Sequence, residues 1–322
     1  MKLILAPLRG LTEEPFRSAF SRHFGGVDAA LAPFIPTMRC ERLKPAHMRD
    51  VLPERQLMPV TPQLLSNNPV DFLALAHKLH SLGYQAVNWN LGCPYPMVAK
   101  KKRGSGLLPY PDLIAQFFAA VMPELPMKLS VKLRLGWDNP TEIKALIPVL
   151  NGYDLDSVII HPRLGVQMYD GQADVAAFAA AAAMLRHKVV YNGDINNVDA
   201  FLQIACQVPA VTEFMLGRYL VVNPFLAEML RGAKPAEADM QRRFSTFYAD
   251  LFQSWQALVP TPAHLMQRMK AYWNYFAVGF ADSRKAIKKI QRAQTLESFC
   301  QYAAAFLQNQ PPRELTPNMT VK

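Results

Sequence analysis

A regular alternation of strand-like and helix-like segments restricts this chain to few folds. Eight short runs with the residue types of β-strands recur up to residue 216. These runs are Leu3–Leu8, Val27–Phe34, Met58–Leu65, Ala86–Leu91, Lys128–Leu135, Ser157–Arg163, Lys188–Asn192 and Glu213–Leu216. Between them, apolar residues recur at the three- and four-residue spacing of helices. These helical segments include Asp71–Leu82, Pro111–Met122, Thr141–Leu150, Val175–Arg186 and Val198–Gln207. The alternation predicts an α/β fold of the (β/α)8 type, a TIM barrel.

The pattern changes after about residue 235. Strand signals end there, and Lys234-Pro235-Ala236 has the composition of a boundary. From Asp239 to Leu307 the apolar spacing is helical and aromatic residues are frequent, which predicts a small helical domain. The final residues include several prolines and predict a flexible tail. We therefore predict a barrel over 1–234, a C-terminal helical domain over 235–309 and a tail over 310–322.

Composition excludes several classes of protein. Half of the 322 residues are hydrophobic (51%), so the chain can bury a large core and is not disordered. No apolar stretch approaches the ~20 residues that a bilayer span needs. The opening apolar run is short and is followed by Arg9, so we interpret it as a first strand and expect a cytoplasmic protein. The formal net charge of +10 is typical of nucleic-acid binding, although it also serves solubility.

The four cysteines lie far apart and form no C-x-x-C pair. They are Cys40, Cys93, Cys206 and Cys300. Their spacing predicts a reducing compartment and no metal site. Cys93 stands out because it lies in Asn90-Leu91-Gly92-Cys93-Pro94, a tight turn directly after a predicted strand. A lone thiol in that place is better suited to donating a proton than to binding metal or forming a disulfide.

Polar side chains collect where the predicted strands end, which is where a TIM barrel carries its chemistry. Lys132 and Arg134 are two residues apart in the fifth strand, so both point to one face. Two cations inside a barrel mouth cost on the order of several kcal/mol each unless strong acceptors meet them. They therefore face an electron-rich ring or an anionic ligand, or they lie above the barrel in water.

Two further strand ends have the residue types of a phosphate site. Asn192-Gly193-Asp194 follows the seventh strand and Gly217-Arg218 the eighth, the pair of loops that often binds phosphate in such barrels. Each motif alone is also common in ordinary turns. His161 fits either a core position or the site, and the Lys100–Arg103 run either a solvated face or a phosphate-contacting loop. No GxGxxG or P-loop occurs, which argues against a Rossmann dinucleotide site or an ATPase.

In this order the motifs resemble those of the tRNA-dihydrouridine synthase family. The resemblance covers most of the barrel, and the cysteine motif with its downstream glycines is its most specific part. It rests on Ala6-Pro7-Leu8-Arg9-Gly10, Gln63, Asn90–Pro94, Gly104–Leu108, Ser130–Trp137, His161, Asn192–Asp194 and Gly217-Arg218. In the helical region, Gln267–Trp273 is similar to the RNA-facing segment of the bacterial subgroup that modifies uridine 16.

The resemblance implies an FMN enzyme that uses NADPH to reduce the 5,6 double bond of a uridine in tRNA. Cys93 would donate a proton to C5 after hydride addition at C6. By the same resemblance, FMN would contact Pro7, Leu8, Arg9, Gln63, Lys132, His161, Asn192, Gly193, Asp194, Gly217 and Arg218. Asn90 and Arg134 would face a uridine flipped out of the RNA. Arg268 and Lys270, together with Lys285, Lys288 and Lys289, are candidates for the RNA-binding surface. We expect a monomer.

Two other functions remain compatible with the residues. A flavin-dependent barrel could reduce a small enone or a free pyrimidine, which would leave the basic helical domain unexplained. A noncatalytic RNA-binding relative would keep the barrel without a flavin, and the intact Cys93 and Lys132 argue against it. Salt-dependent retention on tRNA and the colour of the purified protein distinguish these alternatives.

Overall fold

The protein is described by a computed structural model that covers residues 1–37, 48–281, 283–310 and 312–313. One sheet of parallel strands dominates the first two thirds of the chain. Its strands are β1 (Lys2–Leu5), β2 (Ala29–Leu31), β3 (Ile35–Pro36), β4 (Val60–Thr61), β5 (Gln63–Leu65), β6 (Ala86–Leu91), β7 (Lys128–Gly136), β8 (Ser157–Leu164), β9 (Val189–Tyr191) and β10 (Glu213–Leu216). Their order is β3-β5-β6-β7-β8-β9-β10-β1-β2-β4.

The sheet closes into the predicted TIM barrel through two interrupted strands. The predicted run Val27–Phe34 is divided into β2 and β3, and Met58–Leu65 is divided into β4 and β5. Pro33 and Pro62 lie at these breaks, where a residue without an N–H group cannot continue a ladder. Because β2 pairs with β4 and β3 pairs with β5, the two ends of the strand order belong to one pair of strands.

Helices separate the strands and continue to the end of the described chain. Those in the barrel are α1 (Glu14–His23), α2 (Pro69–Ser81), α3 (Pro96–Ala99), α4 (Pro111–Val121), α5 (Glu142–Asn151), α6 (Val175–Met184), α7 (Val198–Gln207), α8 (Arg218–Val222) and α9 (Leu226–Leu230). The C-terminal helices are α10 (Glu237–Gln256), α11 (Pro262–Phe276), α12 (Arg284–Arg292) and α13 (Leu296–Asn309). The first of them begins close to the predicted boundary at residue 235, and the division into domains stays a prediction.

Alternation along β7 determines what faces the barrel axis. Val131 and Leu133 are fully buried in the large core between the sheet and its helices. The side chains between them point inward, where Lys132 and Arg134 reach the carboxyl-terminal mouth. A separate apolar cluster fills the other side of the barrel interior. The barrel is therefore a packed scaffold that presents cations at one end.

The C-terminal helices pack against the first βα unit of the barrel. Phe16 of α1 stacks on Tyr272 of α11, with ring centroids 5.9 Å apart. Phe247 of α10 meets the same Phe16 ring edge-on at 5.7 Å. The Tyr272 hydroxyl donates a hydrogen bond of 2.6 Å to the carbonyl of Leu11, in the loop after β1. This loop also carries part of the candidate site, so the helices hold one wall of it.

Some predicted boundaries differ from the structure. The first strand ends at Leu5 rather than Leu8, because the Thr12 hydroxyl donates to the Ala6 carbonyl and accepts from the Leu8 N–H, which turns the chain away from the sheet. The strand predicted over Lys188–Asn192 is shorter, with Val189–Tyr191 paired in the ladder. Cys40 and most of the predicted tail lie outside the described residues, although Pro312 forms an antiparallel bridge with Phe280. No helix in the described ranges is long and apolar enough to cross a bilayer.

Candidate active site

A pocket opens at the carboxyl-terminal mouth of the barrel, and we call it the mouth pocket. Its empty volume, with the open entrance included, is about 1080 Å³, which is large enough for a cofactor with part of a substrate. The residues predicted from the sequence that line it are Pro7, Leu8, Arg9, Asn90, Cys93, Lys132, Arg134, His161, Asn192, Gly193, Asp194, Gly217 and Arg218. They come from the ends of six different strands, so the barrel brings together what the sequence separates.

The Asn90 side chain shapes the turn that carries Cys93. Its Oδ1 atom accepts hydrogen bonds from the backbone N–H of Gly92 at 3.0 Å and of Cys93 at 2.9 Å. Cys93 is only 6% exposed and lines the mouth pocket. Burial raises the pKa of its thiol, and a hydrogen bond with the backbone of Tyr95, followed by nearby cations such as Arg134, opposes that shift only in part. The thiol is therefore protonated at neutral pH and can give up a proton at the pocket wall.

A second loop supports the cysteine from behind. The Ser105 N–H and hydroxyl both donate to the Cys93 carbonyl, each at 3.0 Å. Gly104 precedes it in a left-handed conformation, with φ of 56°. A Cβ atom at Gly104 would lie 2.6 Å from the same Cys93 carbonyl oxygen, so only glycine allows this close approach. The downstream glycine of the cysteine motif is thus explained by packing against the cysteine backbone.

Lys132 is a cation of the mouth pocket whose ammonium group has no acceptor among the described residues. No carboxylate or other hydrogen-bond acceptor of that part of the chain lies within bonding distance of it. Burial lowers its pKa to about 7, and repulsion from Arg134 adds to the effect. An electron-rich group that enters the pocket would stabilise the charged form of this lysine.

Arg134 is anchored through the backbone of two neighbouring loops. Its Nε donates to the Gly92 carbonyl at 3.0 Å and its Nη1 to the Leu164 carbonyl at 2.8 Å. Its guanidinium also lies 5.5 Å from the ring centre of Tyr169. Burial lowers its pKa, but an arginine in this environment still carries its charge at neutral pH. The pocket therefore holds a fixed positive charge next to the cysteine turn.

His161 and Asp194 are held in place by Arg163, a residue just beneath the pocket wall. The Nδ1–H of His161 donates to the Asn192 carbonyl at 2.5 Å, and Arg163 Nη1 lies 3.3 Å from Nε2. Because Nε2 faces a donor, the ring is neutral, and burial together with Arg134 lowers its pKa well below the ordinary value. Arg163 also forms a 2.6 Å ion pair with Asp194, which has a left-handed backbone with φ of 36°.

The mouth pocket is also lined by four tyrosines that the sequence did not indicate, Tyr95, Tyr169, Tyr219 and Tyr275. Tyr169 follows β8 and lies 4.4 Å from the Arg218 guanidinium, measured to its ring centre. Tyr95 follows the cysteine turn and is half exposed. Tyr275 comes from α11, in the C-terminal helices. Their aromatic rings provide flat surfaces beside the cations, which suits a planar ligand.

The pocket belongs to a chain that matches one family model over residues 4–310, and this model describes dihydrouridine synthase. The chain belongs to the dihydrouridine synthase family. It is accordingly an enzyme, and members of this family are oxidoreductases. The match includes the barrel and the C-terminal helices, so the family assignment covers nearly the whole chain.

Curated relatives in the dihydrouridine synthase family cover most of this chain. A tRNA-dihydrouridine(16) synthase from Pseudomonas putida is 30% identical over 244 residues, which are 73% of this chain and 74% of that protein. The tRNA-dihydrouridine(16) synthase of Pseudomonas syringae pv. tomato is 28% identical, over 83% of this chain and 88% of that protein. One from Aquipseudomonas alcaligenes is 26% identical, over 94% and 99% respectively.

Solved structures agree with the barrel architecture. The old yellow enzyme homologue from Zymomonas mobilis matches with a TM-score of 0.52 and 12% identity, over 76% of this chain and 92% of that chain. Morphinone reductase matches with a TM-score of 0.51 and 12% identity, over 76% and 88%. At this identity the likeness shows the fold alone, and it supports the TIM barrel predicted from the sequence.

Not every residue that the sequence indicated lines the mouth pocket of this dihydrouridine synthase family member. Gln63 is fully buried beneath the pocket and accepts a 2.7 Å hydrogen bond from Asn90. Arg268 donates to the Gly10 carbonyl at 3.1 Å and pairs with Glu13 at 3.1 Å. The Lys270 ammonium donates to the Ala293 carbonyl at 2.6 Å. The cationic groups of the last two thus have partners inside the chain.

A different stretch of the C-terminal helices carries cations toward solvent. Helix α12 has exposed basic residues along its length, and in the part of the chain that is described none of them forms an ion pair. They are Arg284, Lys285, Lys288, Lys289 and Arg292. Several of them line a shallow groove against α13, together with Tyr302. Within the described ranges, no cluster of three potential ligands suits a metal ion.

Proposed function

We propose that this protein reduces the 5,6 double bond of a uridine in tRNA to dihydrouridine, with FMN bound in the mouth pocket, NADPH as the reductant and Cys93 as the proton donor. The observation that carries the proposal is the pairing of a protonated thiol with a lysine that has no acceptor in the described part of the chain, in one pocket of a dihydrouridine synthase family member. tRNA as the substrate is supported by the family and by the names of its curated relatives.

The residues of the mouth pocket fit FMN. Lys132 lacks an acceptor among the described residues, and an electron-rich ring system beside it would provide one. Arg218 lines the same pocket and supplies charge for a phosphate. Gly217 also lines the pocket, and it carries no Cβ that would stand between its backbone and a phosphate. When bound, FMN supplies the hydride, which leaves binding, orientation and proton transfer to the protein.

Cys93 and Arg134 account for the protein's part in the reaction. Addition of hydride at C6 of the uracil puts negative charge on its C4 carbonyl, and a proton must then reach C5. The fixed charge of Arg134 beside the cysteine turn stabilises such a carbonyl. The raised pKa of Cys93 keeps a proton available at neutral pH. Protonation at C5 converts the thiol to a thiolate, which solvent reprotonates before the next turnover.

The substrate reaches the pocket only as an extruded base. A uridine stacked within folded RNA cannot enter a barrel mouth, and its extrusion costs about a few kcal/mol. Phosphate contacts on a basic surface offset that cost. We propose helix α12 as the main contact surface for the RNA backbone, because its cations are exposed. Arg268 and Lys270 would then contribute indirectly, because their hydrogen bonds to the Gly10 and Ala293 carbonyls hold α11 in place.

Position 16 is the proposed target, and the cytoplasm is the proposed site of action. Three curated relatives carry that position in their names, and each spans at least 73% of this chain. The segment Gln267–Trp273 is similar to the corresponding part of that subgroup. A tRNA transcript in which only that uridine is replaced would remain unmodified if the assignment holds.

Conversion of Cys93→Ala tests the proposed reaction. The variant should retain flavin and tRNA binding, but dihydrouridine formation should fall about 10²–10⁴-fold because the proton donor is missing. Dihydrouridine in a purified tRNA transcript is measured by mass spectrometry after digestion. Cys206→Ala, at an exposed cysteine remote from the mouth pocket, is the matched control and should keep wild-type turnover. Full activity of Cys93→Ala would overturn the role of the thiol. If the wild-type protein reduces only free pyrimidines, the proposal that tRNA is the substrate is wrong.

A further inference from the structure

We propose that Asn88 and Ser130, acting through Gln63 and Asn90, are positioning residues that hold the Cys93 turn in its reactive geometry. This inference rests on the proposed role of Cys93. Neither Asn88 nor Ser130 lines the mouth pocket, and both are buried inside the barrel on neighbouring strands. Their contribution would be to orient the turn that touches the substrate.

A continuous chain of hydrogen bonds runs from β7 to the cysteine. Asn88 Nδ2 donates to the Ser130 hydroxyl at 2.8 Å, and Gln63 Nε2 donates to Asn88 Oδ1 at 2.8 Å. Asn90 Nδ2 donates to Gln63 Oε1 at 2.7 Å. Asn90 Oδ1 then accepts the backbone N–H groups of Gly92 and Cys93. Every link has the short distance of a well-formed bond.

The direction of the chain is fixed at the cysteine end. Two backbone donors face Asn90, so its oxygen must point to the turn and its nitrogen to Gln63. Gln63 must then accept from Asn90 and donate to Asn88, which in turn must donate to Ser130. One orientation of each amide satisfies all the bonds, which makes the network a rigid support.

Apolar side chains could have filled the barrel interior in the place of this polar network. The other side of it is filled by an apolar cluster that includes Ile4, Ile159 and Met215. Burying polar side chains is unfavourable unless all their bonds are made, so an apolar filling would be the simpler choice for stability. The polar side is the one that ends on the cysteine turn. That coincidence points to a role in positioning.

Replacement of Asn88→Leu tests the network. Leucine has a similar shape but removes the link between Gln63 and Ser130, so the Gln63 amide is free to turn over and Asn90 loses its fixed partner. We expect kcat to fall about tenfold or more, since small displacements of a reactive group have large effects on rate. KM for tRNA should stay within about twofold, because the exposed cations of α12 do not change, and kcat is expressed per bound flavin because Gln63 is also an expected FMN contact.

A second measurement reports on the mobility of the Cys93 turn independently of catalysis. Iodoacetamide should alkylate Cys93 roughly threefold faster or more in the Asn88→Leu protein, because a loosened turn opens more often. The rate is read peptide by peptide by mass spectrometry, which separates Cys93 from the other cysteines. A fall in kcat with a rise in alkylation is the expected signature. Unchanged alkylation together with unchanged kcat would overturn the proposal.

Asn88→Asp is the conservative rescue. A buried, protonated carboxyl group has one acceptor and one donor, so it can accept from Gln63 and donate to the Ser130 hydroxyl as the amide does. Its kcat and alkylation rate should lie within about threefold of wild type. If Asn88→Asp is as impaired as Asn88→Leu, the orientation of the amides is not what matters, and the inference fails.

Asn223→Leu is the matched control for general destabilisation. Asn223 is also buried (3% exposed) and bonds to the Phe225 N–H, but it does not line the mouth pocket. If Cys93 alkylation changes equally in both leucine variants, the effect comes from general destabilisation of the fold, and the proposal is overturned. Should the wild-type protein form no dihydrouridine, the proposed function fails, and the alkylation rates still decide whether the network holds Cys93.

Discussion

The protein carries positive charge in two very different settings. In the mouth pocket, Lys132 and Arg134 are enclosed by the barrel, and burial lowers the pKa of both. On helix α12, five basic residues lie exposed along one short helix, and none forms an ion pair with the described part of the chain. The pair in the pocket is enclosed by the barrel, whereas the five cations of α12 are exposed to solvent.

Positively charged residues of one protein can therefore have two different functions, according to whether they are buried or exposed. Cations in a shielded site interact strongly with a single group at short range, and salt weakens them little. Exposed cations act by releasing counterions from a nucleic acid, so their contribution depends steeply on salt. We therefore expect the pocket to govern flavin and reaction rate, and α12 to govern the affinity for tRNA.

The largest effect should come from the pocket. Lys132→Met removes a pocket cation that has no acceptor among the described residues and should lower kcat about 10²-fold, because negative charge that develops on the reacting groups loses its stabilisation. Flavin retention should also fall. Turnover and the flavin absorbance of the purified protein measure both. Lys128→Met is the matched control, since it changes an exposed lysine at the amino-terminal end of the same strand. Normal kinetics and normal flavin content in Lys132→Met would remove this residue from the site.

An intermediate effect should come from α12. The triple change Lys285→Gln, Lys288→Gln and Lys289→Gln should weaken tRNA binding about tenfold and reduce the slope of log Kd against log salt by about 0.7–0.9 for each phosphate that is no longer neutralised. Flavin content should not change. Filter binding over a salt series measures both the affinity and the slope. Lys78→Gln with Lys144→Gln, at exposed lysines of α2 and α5, is the control. An unaltered slope in the triple variant would place the RNA-binding surface elsewhere.

The smallest effect should appear in the pH dependence of flavin binding. Lys132 has a pKa of about 7 in the ligand-free protein, so it is charged below that pH and neutral above it. If FMN binds the charged form, affinity must fall about fivefold as pH rises from about 7 to about 8, because the charged fraction of Lys132 falls from about one half to about one tenth. Titration of the flavin-stripped protein by flavin fluorescence tests this. Lys132→Met should show a flat profile in that range. A wild-type profile that is equally flat would separate the lysine from flavin binding.

The fold can be predicted largely from local patterns. The alternation in β7 indicates that Lys132 and Arg134 share one face, because the side-chain period of a strand leaves no other arrangement. The same patterns do not reveal the breaks in the second and third predicted strands, although Pro33 and Pro62 mark both of them. Strand pairing across the closure is a long-range property, and periodicity within one segment carries no information about it.

The candidate site is only partly accessible from the sequence. Strand-end residues can be placed together because all parallel strands of a barrel end at one face. Tyr169 and Tyr275 cannot, since the first lies in a long loop and the second in a helix whose docking depends on packing. The internal partners of Arg268 and Lys270 are equally hidden, because a basic residue on a helix shows nothing of what it will contact.

The placement of Tyr275 in the pocket wall has a consequence for re-engineering. The helix that carries it is bonded through Tyr272 to the loop after β1, so the C-terminal helices complete the wall of the mouth pocket. Grafting these helices from another synthase to redirect the enzyme to a different nucleotide would also rebuild the cavity. Successful chimeras should therefore require the donor's first loop to be transplanted along with its helices.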